Sequence, residues 1–146
     1  MLPTDEEVLL AVSQFRRAID AAGGEPWDNK HITFPHGACG HASELLGQYL
    51  IKQFGIVAEY VNQVAPSDIG GWHGSHAWLE WNGLTLDITG DQFGWPPVIV
   101  TRQPQFHGQG ESELRHPVCL PHQRDWWLRE CGALWAAIVP FVDVSQ

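Results

Sequence analysis

The sequence predicts an α+β fold in which N-terminal helices pack on an antiparallel β-sheet. Two stretches with apolar residues at helical spacing occupy the first third of the chain, an alternating β-hairpin pattern follows, and a further helical stretch lies near the end. Helices and strands in separate parts of a chain are typical of α+β proteins. With 146 residues, the chain has the length of one domain, which we expect to span residues 1–146.

The first helix is predicted over Thr4–Ala22. Thr4 and Glu7 have the spacing of a capping box, and the acidic residues of the first turn favour the positive end of the helix dipole. Apolar residues then recur at helical spacing until Gly23-Gly24 ends the pattern. This helix is expected to bury its apolar face in the core.

The second helix is predicted from about Gly40 to Phe54, with Gly55 as its C-terminal cap. A loop that contains proline and glycine precedes it over residues 25–38. Residues 56–64 are rich in β-formers and predict a strand. Together these segments place a helix directly before the sheet.

A β-hairpin is the clearest local pattern in the chain, and it follows a predicted loop over residues 66–74. Segments 75–81 and 84–89 alternate between apolar and polar residues and flank Asn82-Gly83, a dipeptide typical of two-residue hairpin turns. Alternation places the two sets of side chains on opposite faces of the sheet. The predicted polar face carries His76, Trp78, Glu80, Thr85, Asp87 and Thr89.

The C-terminal third combines a long loop with a final helix. Residues 90–121 are predicted to be mostly loop, with one strand over 98–101 and a mobile segment over 106–117. The last helix is predicted from about Asp125 towards Val139. Its residues expected to be buried are Trp127, Leu128, Cys131, Leu134, Trp135 and Ile138. The histidines expected to be exposed are His107, His116 and His122.

Charge and cysteine content exclude several classes of protein. The formal net charge of −9 argues against a nucleic-acid partner, because an acidic chain repels phosphate.

The sequence contains no apolar run of bilayer-spanning length, and its N-terminus is acidic where a signal peptide needs basic residues. Three cysteines leave one unpaired, which suits a reducing compartment. We expect a soluble cytoplasmic protein without a membrane partner, or one delivered into another cell as an effector.

Cys39 is the candidate nucleophile. It lies just before the second predicted helix, where unpaired backbone N–H groups lower the pKa of a thiol and can hold a developing oxyanion. The alternative is an inert cysteine that only packs in the core.

His76 and Asp87 are the candidate partners of this thiol. In a two-residue hairpin Trp78 lies opposite Asp87, so His76 and Asp87 become diagonal neighbours on one face, about 7–8 Å apart at the backbone. At that separation a carboxylate can hydrogen-bond an imidazole and fix its tautomer, as in a catalytic triad. The alternative is a polar sheet face that is simply solvated.

Three segments carry these residues: Phe34-Pro-His-Gly-Ala-Cys-Gly-His-Ala-Ser43, Ser75-His-Ala-Trp-Leu-Glu80 and Leu86-Asp-Ile-Thr-Gly-Asp-Gln-Phe93. They resemble the Cys, His and Asp blocks of the transglutaminase-like branch of papain-fold cysteine enzymes, in its small bacterial members. The ends of the chain lie outside this resemblance. The sequence departs from the family at Ala38, where an aromatic residue or arginine often stands, and at Thr33, near which papain-type enzymes have an oxyanion glutamine.

The resemblance implies a papain-like fold and a cysteine-dependent acyl-transfer enzyme that needs no cofactor. Cys39 would attack an amide or thioester carbonyl, His76 would accept the thiol proton and return it to the leaving amine, and Asp87 would orient the imidazole. Water or an amine would then resolve the acyl-enzyme. The implied activities are those of a peptidase, a protein-glutamine deamidase or a transglutaminase, acting on a protein or peptide. Asn29, His31 or Gln92 would replace the missing oxyanion glutamine, unless backbone N–H groups suffice.

Two other classes of function compete with the enzyme hypothesis. The first is a peptide-binding module of the same fold without catalysis, with tryptophans as its stacking surface. In either case Trp72 and Trp95, which lie in predicted loops, are the candidate substrate-binding walls. The second is a zinc-binding protein whose ligands would be Cys39, His41, His73 and His76.

Overall fold

Four helices and a five-stranded antiparallel sheet form the fold in a computed structural model that describes residues 1–67 and 69–143. The helices are α1 (Asp5–Ala22), α2 (Glu25–Asp28), α3 (Cys39–Phe54) and α4 (Arg124–Ile138). The strands are β1 (Glu59–Val64), β2 (Ser75–Trp81), β3 (Leu84–Asp87), β4 (Ile99–Thr101) and β5 (Glu111–Pro117). The predicted α+β class is therefore confirmed. None of the described helices has the length and apolar character that a bilayer crossing requires.

Helix α1 begins with the predicted capping box. The Thr4 hydroxyl accepts the Glu7 N–H at 3.1 Å, and the Glu7 carboxylate accepts the Thr4 N–H at 2.9 Å. The helix ends at Ala22, and the next residue, Gly23, caps it with a φ of 82° that suits a residue without a Cβ. On its buried face, the ring of Phe15 stacks on Tyr49 of α3 with centroids 4.8 Å apart. This contact joins the two helices in the main core.

Helix α3 begins at Cys39, one residue before the predicted start, and ends at Phe54 as predicted. Gly55 caps it in the left-handed conformation with φ of 67°. The helix crosses one face of the sheet and packs against β2. Its buried core residues are Ala42, Leu45, Leu46, Tyr49 and Leu50. Because these residues anchor the helix, its N-terminus is held in a defined place over the sheet.

The strand order is β4-β3-β2-β1-β5, so β2 lies at the centre of the sheet. The predicted hairpin register is confirmed: Trp81 pairs with Leu84, and Leu79 pairs with Leu86. Asn82 and Gly83 both have positive φ, as a type I′ turn requires. Strand β3 ends at Asp87, two residues earlier than predicted.

The polar face of the hairpin is not solvated. A second, smaller core covers it and contains Val61, Trp72, Trp78 and Trp95. Phe93 and Phe106, from the segment after β3, pack against this core. That segment folds back over the sheet, so the alternative of a simply solvated face is wrong. His76 and Asp87 are consequently enclosed between two cores.

The C-terminal third corrects three predictions. Residues 106–117, predicted to be mobile, include β5, which pairs with β1 as an edge strand. The residues of β5 are mostly exposed, and an exposed edge strand needs no alternation of apolar and polar residues, so the sequence gives no strand pattern there.

The burial of single residues also differs from the prediction. His107 is buried and His116 half-buried, whereas His122 is exposed as predicted. Leu128 is exposed, because it lies on the outward side of α4. The predicted loop over 66–74 includes residue 68, which lies outside the described residues.

Candidate active site

Cys39 is the first residue of α3, and its side chain is partly exposed. The first intrahelical hydrogen bond runs from the Ala42 N–H to the Ala38 carbonyl, so the N–H groups of the first turn have no intrahelical acceptors. These groups and the helix dipole favour negative charge on Cys39. The N–H of Ala77, on the central strand β2, also donates to the sulfur. The thiol therefore lies where a thiolate is stabilised.

His76 and Asp87 lie on the adjacent strands β2 and β3, and their side chains meet. Nε2 of His76 is 2.7 Å from Oδ2 of Asp87, and both residues are fully enclosed, at 0% and 1% exposure. Oδ1 of Asp87 accepts the backbone N–H of Thr89 at 2.9 Å. The imidazole of His76 also interacts with the Cys39 thiol, and it lowers the pKa of that thiol. The structure thus brings the three predicted triad residues together in the order Cys–His–Asp.

A second histidine shares the carboxylate. Nε2 of His107 is 2.7 Å from the same Oδ2 atom of Asp87, and His107 is 7% exposed. Its Nδ1 atom is buried and lacks a hydrogen-bond partner among the described residues. The sequence offered no signal for this role, because His107 lies in a polar stretch twenty residues after Asp87. Only the folding back of that stretch brings it to the site.

Aromatic rings surround the imidazole of His76. The rings of Phe93 and Trp95 meet it edge to face, with centroids at 5.0 and 5.8 Å. Trp72 is fully buried behind Trp95, whose indole N–H donates to the Gly70 carbonyl at 2.6 Å. Trp72 and Trp95 therefore form an inner packing layer beside His76, and their role as substrate-binding walls stays a prediction. The rings exclude water from the His76–Asp87 pair, which strengthens its electrostatic interactions.

These contacts determine the protonation of His76 and Asp87. Burial alone would raise the pKa of Asp87, but hydrogen bonds from His107 and His76 outweigh it and hold the pKa well below its usual range. Burial also opposes a charged imidazole, yet the hydrogen bonds to Asp87 and Cys39 dominate and raise the pKa of His76 to about 9. At neutral pH, His76 is therefore an imidazolium paired with an ionised Asp87.

The three cysteines differ in acidity. Burial would raise the pKa of Cys39, but the hydrogen bond and charge of His76, helped by the Ala77 N–H, lower it below its ordinary value. Burial raises the pKa values of Cys119 and Cys131 to about 12. Among these thiols, Cys39 alone combines a lowered pKa with a charged partner.

Gln92 is the one predicted oxyanion alternative that contacts the triad. Its Nε2 atom lies 3.2 Å from Nδ1 of His76. The loop that carries Gln92 is held by Arg16 of α1, which donates to the Ile88 carbonyl at 2.8 Å and pairs with the Asp91 carboxylate at 2.8 Å. This partly buried ion pair joins a helix to the loop after β3 and so helps to hold Asp87 and Gln92 in place.

The structure does not gather the four predicted zinc ligands, Cys39, His41, His73 and His76. His41 instead pairs with Glu130 at 3.3 Å. Among the described residues, the side chains close enough to hold a metal ion are those of His76, Asp87 and His107, with ligand atoms within 4.8 Å of one another. Both imidazole Nε2 atoms lie at 2.7 Å from one oxygen, a charge-assisted hydrogen-bond distance. The cluster is therefore organised as a hydrogen-bond network.

No protein-family model, curated protein or solved structure matches this chain. The chemistry of the site is accordingly inferred from its residues and their geometry. A partly exposed thiol at a helix N-terminus, whose pKa is lowered by an imidazole that a buried carboxylate orients, is suited to nucleophilic attack on a carbonyl.

Removal of the His107 donor is expected to slow the reaction of Cys39. In His107→Leu, Asp87 loses one of the hydrogen bonds that keep it ionised, so it stabilises the His76 imidazolium less. We expect iodoacetamide to alkylate Cys39 about tenfold more slowly at pH 7, with the pH profile of the rate shifted upward. His107→Gln, which retains an N–H donor, should recover most of the rate.

His36→Leu is the matched control, because it makes the same change at an exposed histidine. Its rate and pH profile should equal those of the wild type. If His107→Leu also retained the wild-type rate and profile while folded by circular dichroism, His107 would have no part in positioning the triad.

Proposed function

We propose that this protein is a cysteine-dependent acyl-transfer enzyme with Cys39 as nucleophile, His76 as acid and base, and Asp87 as the orienting carboxylate. The observation that carries the proposal is the linked arrangement of the three side chains: His76 and Cys39 shift each other's pKa, and Nε2 of His76 lies 2.7 Å from the Asp87 carboxylate. The lowered pKa of Cys39 supports the role of nucleophile.

The reaction follows from the positions of these groups. The Cys39 thiolate forms a bond to the carbonyl carbon of an amide, and the carbonyl electron pair moves to oxygen. The free N–H groups of the first turn of α3 and the Gln92 amide are the available donors to that oxyanion. As the tetrahedral intermediate collapses, His76 gives its proton to the departing amine. Water or a second amine then attacks the thioester and restores Cys39.

The arrangement of elements supports a transglutaminase-like member of the papain-like fold. The nucleophile begins a helix that packs on an antiparallel sheet, and the histidine and aspartate lie on neighbouring central strands. Peptide and protein amides are the substrate class we propose. Hydrolysis of the backbone, deamidation of glutamine and transfer to an amine all share this acyl-enzyme route.

Selective alkylation tests the nucleophile. At pH 7, iodoacetamide is expected to modify Cys39 at least about tenfold faster than Cys119 or Cys131, because pKa values of about 12 leave those two thiols almost fully protonated. The greater nucleophilicity of a more basic thiolate offsets only part of this difference. Peptide mapping of the briefly treated native protein measures the order of reaction.

Cys39 that stays unmodified in the native protein while Cys119 or Cys131 reacts would rule the nucleophile out. If Cys39 does react, candidate protein substrates are incubated with the enzyme and weighed intact. A gain of about one dalton indicates deamidation and a fragment indicates proteolysis, and Cys39→Ala is the blank. A peptide that binds tightly but is unchanged, with the same affinity for Cys39→Ala, would favour a non-catalytic binding module.

A further inference from the structure

A cleft of about 370 Å³ opens beside the first turn of α3. Its walls come from α3, β1, β5 and the start of α4. The side chains that matter for its chemistry are those of His41, Glu44, Tyr60, His116 and Trp126. None of these residues belongs to the triad, so the cleft is a separate feature next to it.

The cleft adjoins the nucleophile. Gly40, the residue after Cys39, lines it, and the Tyr60 hydroxyl lies 3.4 Å from the point where a Cβ on Gly40 would be. Burial raises the pKa of Tyr60, and the charges of Cys39 and Glu44 add to that effect. A side chain that enters the cleft from a bound peptide would contact the first turn of α3 at Gly40, the residue that follows the reacting cysteine.

Glu44 is a buried carboxyl group that forms no ion pair with the described residues, although the charge of His116 acts on it. It lies one turn after Gly40 on α3, is 4% exposed and accepts the N–H of Cys119. Burial raises the pKa of Glu44, and this effect outweighs the charge of His116 and the Cys119 N–H, which both act to lower it. A cation that entered the cleft would offset the effect of burial by pairing with the carboxylate.

The walls of the cleft are flat rings. Tyr60 and His116, paired across β1 and β5, stack with centroids 4.9 Å apart. At the rim, Trp126 stacks on His41 at 6.3 Å and remains 39% exposed. Such rings pack against an aliphatic stem and attract a terminal cation through their π-electrons. The net charge of −9 adds a long-range attraction for cationic peptides.

We infer that this cleft is a specificity subsite for a lysine or arginine side chain of the substrate, with Glu44 as the residue that pairs with the cation. The inference rests on the proposed function and adds to it a preferred sequence: a basic residue at one of the two positions on the acyl side of the reacting carbonyl. The aromatic walls hold the stem of that side chain, and Glu44 recognises its charge.

Peptidyl ketone probes test this subsite without a known substrate. Tripeptide acyloxymethyl ketones are made in pairs with lysine or norleucine at the first or second position from the ketone. The Cys39 sulfur forms a bond to the methylene carbon, and the acyloxy group leaves as a carboxylate. At pH 8, where histidine is ordinarily neutral, the lysine probe should label Cys39 at least about tenfold faster than norleucine at one position.

Glu44→Gln is expected to reduce this ratio to about one, because glutamine fills the same volume and accepts the Cys119 N–H but carries no charge. Glu111→Gln, at an exposed position on β5, removes the same charge and should leave the ratio unchanged. Trp126→Leu, at the rim, should lower the ratio about threefold through loss of the cation–π contact. Labelling by iodoacetamide should be equal in the wild type and Glu111→Gln. In each variant the ratio compares two probes on the same thiol, so a general change in Cys39 reactivity cancels.

A lysine-to-norleucine ratio within twofold at both positions would overturn the subsite, and so would a ratio that survives in folded Glu44→Gln. If Glu44→Gln did not fold, an unchanged ratio in Trp126→Leu would overturn the subsite in its place. Failure of iodoacetamide to react with Cys39 in the wild type would instead overturn the proposed function. The two failures are therefore distinguishable.

Discussion

His76→Gln is expected to slow alkylation of Cys39 at pH 7 at least about tenfold, and turnover of any amide substrate at least about 100-fold. Glutamine fills much of the space of the imidazole, whereas alanine would leave a cavity at this fully buried position. Glutamine provides neither a positive charge beside the Cys39 thiolate nor a proton for the leaving amine. In the wild type, the hydrogen bond and charge of His76 outweigh the effect of burial on the pKa of Cys39. Without the imidazole, burial would raise that pKa.

The measurement is the rate of iodoacetamide alkylation of Cys39 between pH 5 and 10. The wild type should react well below the ordinary thiol pKa, whereas His76→Gln should react only as the pH approaches that of an unassisted thiol. His73→Gln, at an exposed histidine three residues earlier, is the matched control. Superimposable profiles for wild type and folded His76→Gln would mean that the imidazole does not activate Cys39.

Asp87→Asn is expected to lower the free energy of unfolding by about 2–3 kcal/mol at pH 6, and by clearly less at pH 10. The rise in the pKa of His76 from 6.5 to about 9 corresponds to a linkage free energy of about 3 kcal/mol, most of it due to Asp87. Asparagine accepts hydrogen bonds from the two imidazoles but cannot balance the charge of His76. The larger part of this stabilisation is therefore lost.

The direction in which stability changes with pH follows from the shifts in the pKa values of His76 and Asp87. A raised pKa makes the His76 contribution complete below pH 6.5 and removes it as the pH rises through about 9. A lowered pKa makes the Asp87 contribution complete above its ordinary pKa and removes it as the pH falls below that value. The pair consequently stabilises the protein most between about pH 4 and 6.5, so the variant should differ most from the wild type there.

Urea unfolding at pH 6 and pH 10 measures the difference, and Asp28→Asn serves as the control because Asp28 is exposed. The control should change stability by less than about 0.5 kcal/mol at either pH. A loss in Asp87→Asn that is equal at the two pH values would contradict the charged pair, since a neutral hydrogen bond has no such dependence.

Local sequence patterns predicted the elements that depend on neighbouring residues. The capping box of Thr4 and the glycines at 23 and 55 mark helix ends that the structure reproduces within one residue. In the hairpin, the Asn82-Gly83 turn determines the register, and the register determines which side chains share a face. The alternation of side chains along the hairpin thus places His76 and Asp87 on one face, independently of contacts with the rest of the chain.

Long-range packing decided what lies around those residues. The burial of the polar sheet face depends on a segment that follows β3 and folds back, and nothing periodic in its sequence shows that return. Strand β5 pairs with β1 although more than forty residues separate them, and its exposed, polar residues resemble a loop. The burial of Trp72 and Trp95, which lie in predicted loops, likewise depends on partners distant in sequence.

The sequence by itself determined the two long N-terminal helices, the hairpin and the diagonal placement of His76 and Asp87, because turn chemistry and periodicity act over a few residues. Only the tertiary structure decided that His107 joins Asp87, that Arg16 holds the loop beside it, and that Glu44 lies at a cleft next to Cys39. These contacts join residues far apart in the chain. They form because covering the remaining apolar surface of the sheet releases more free energy than leaving it in water.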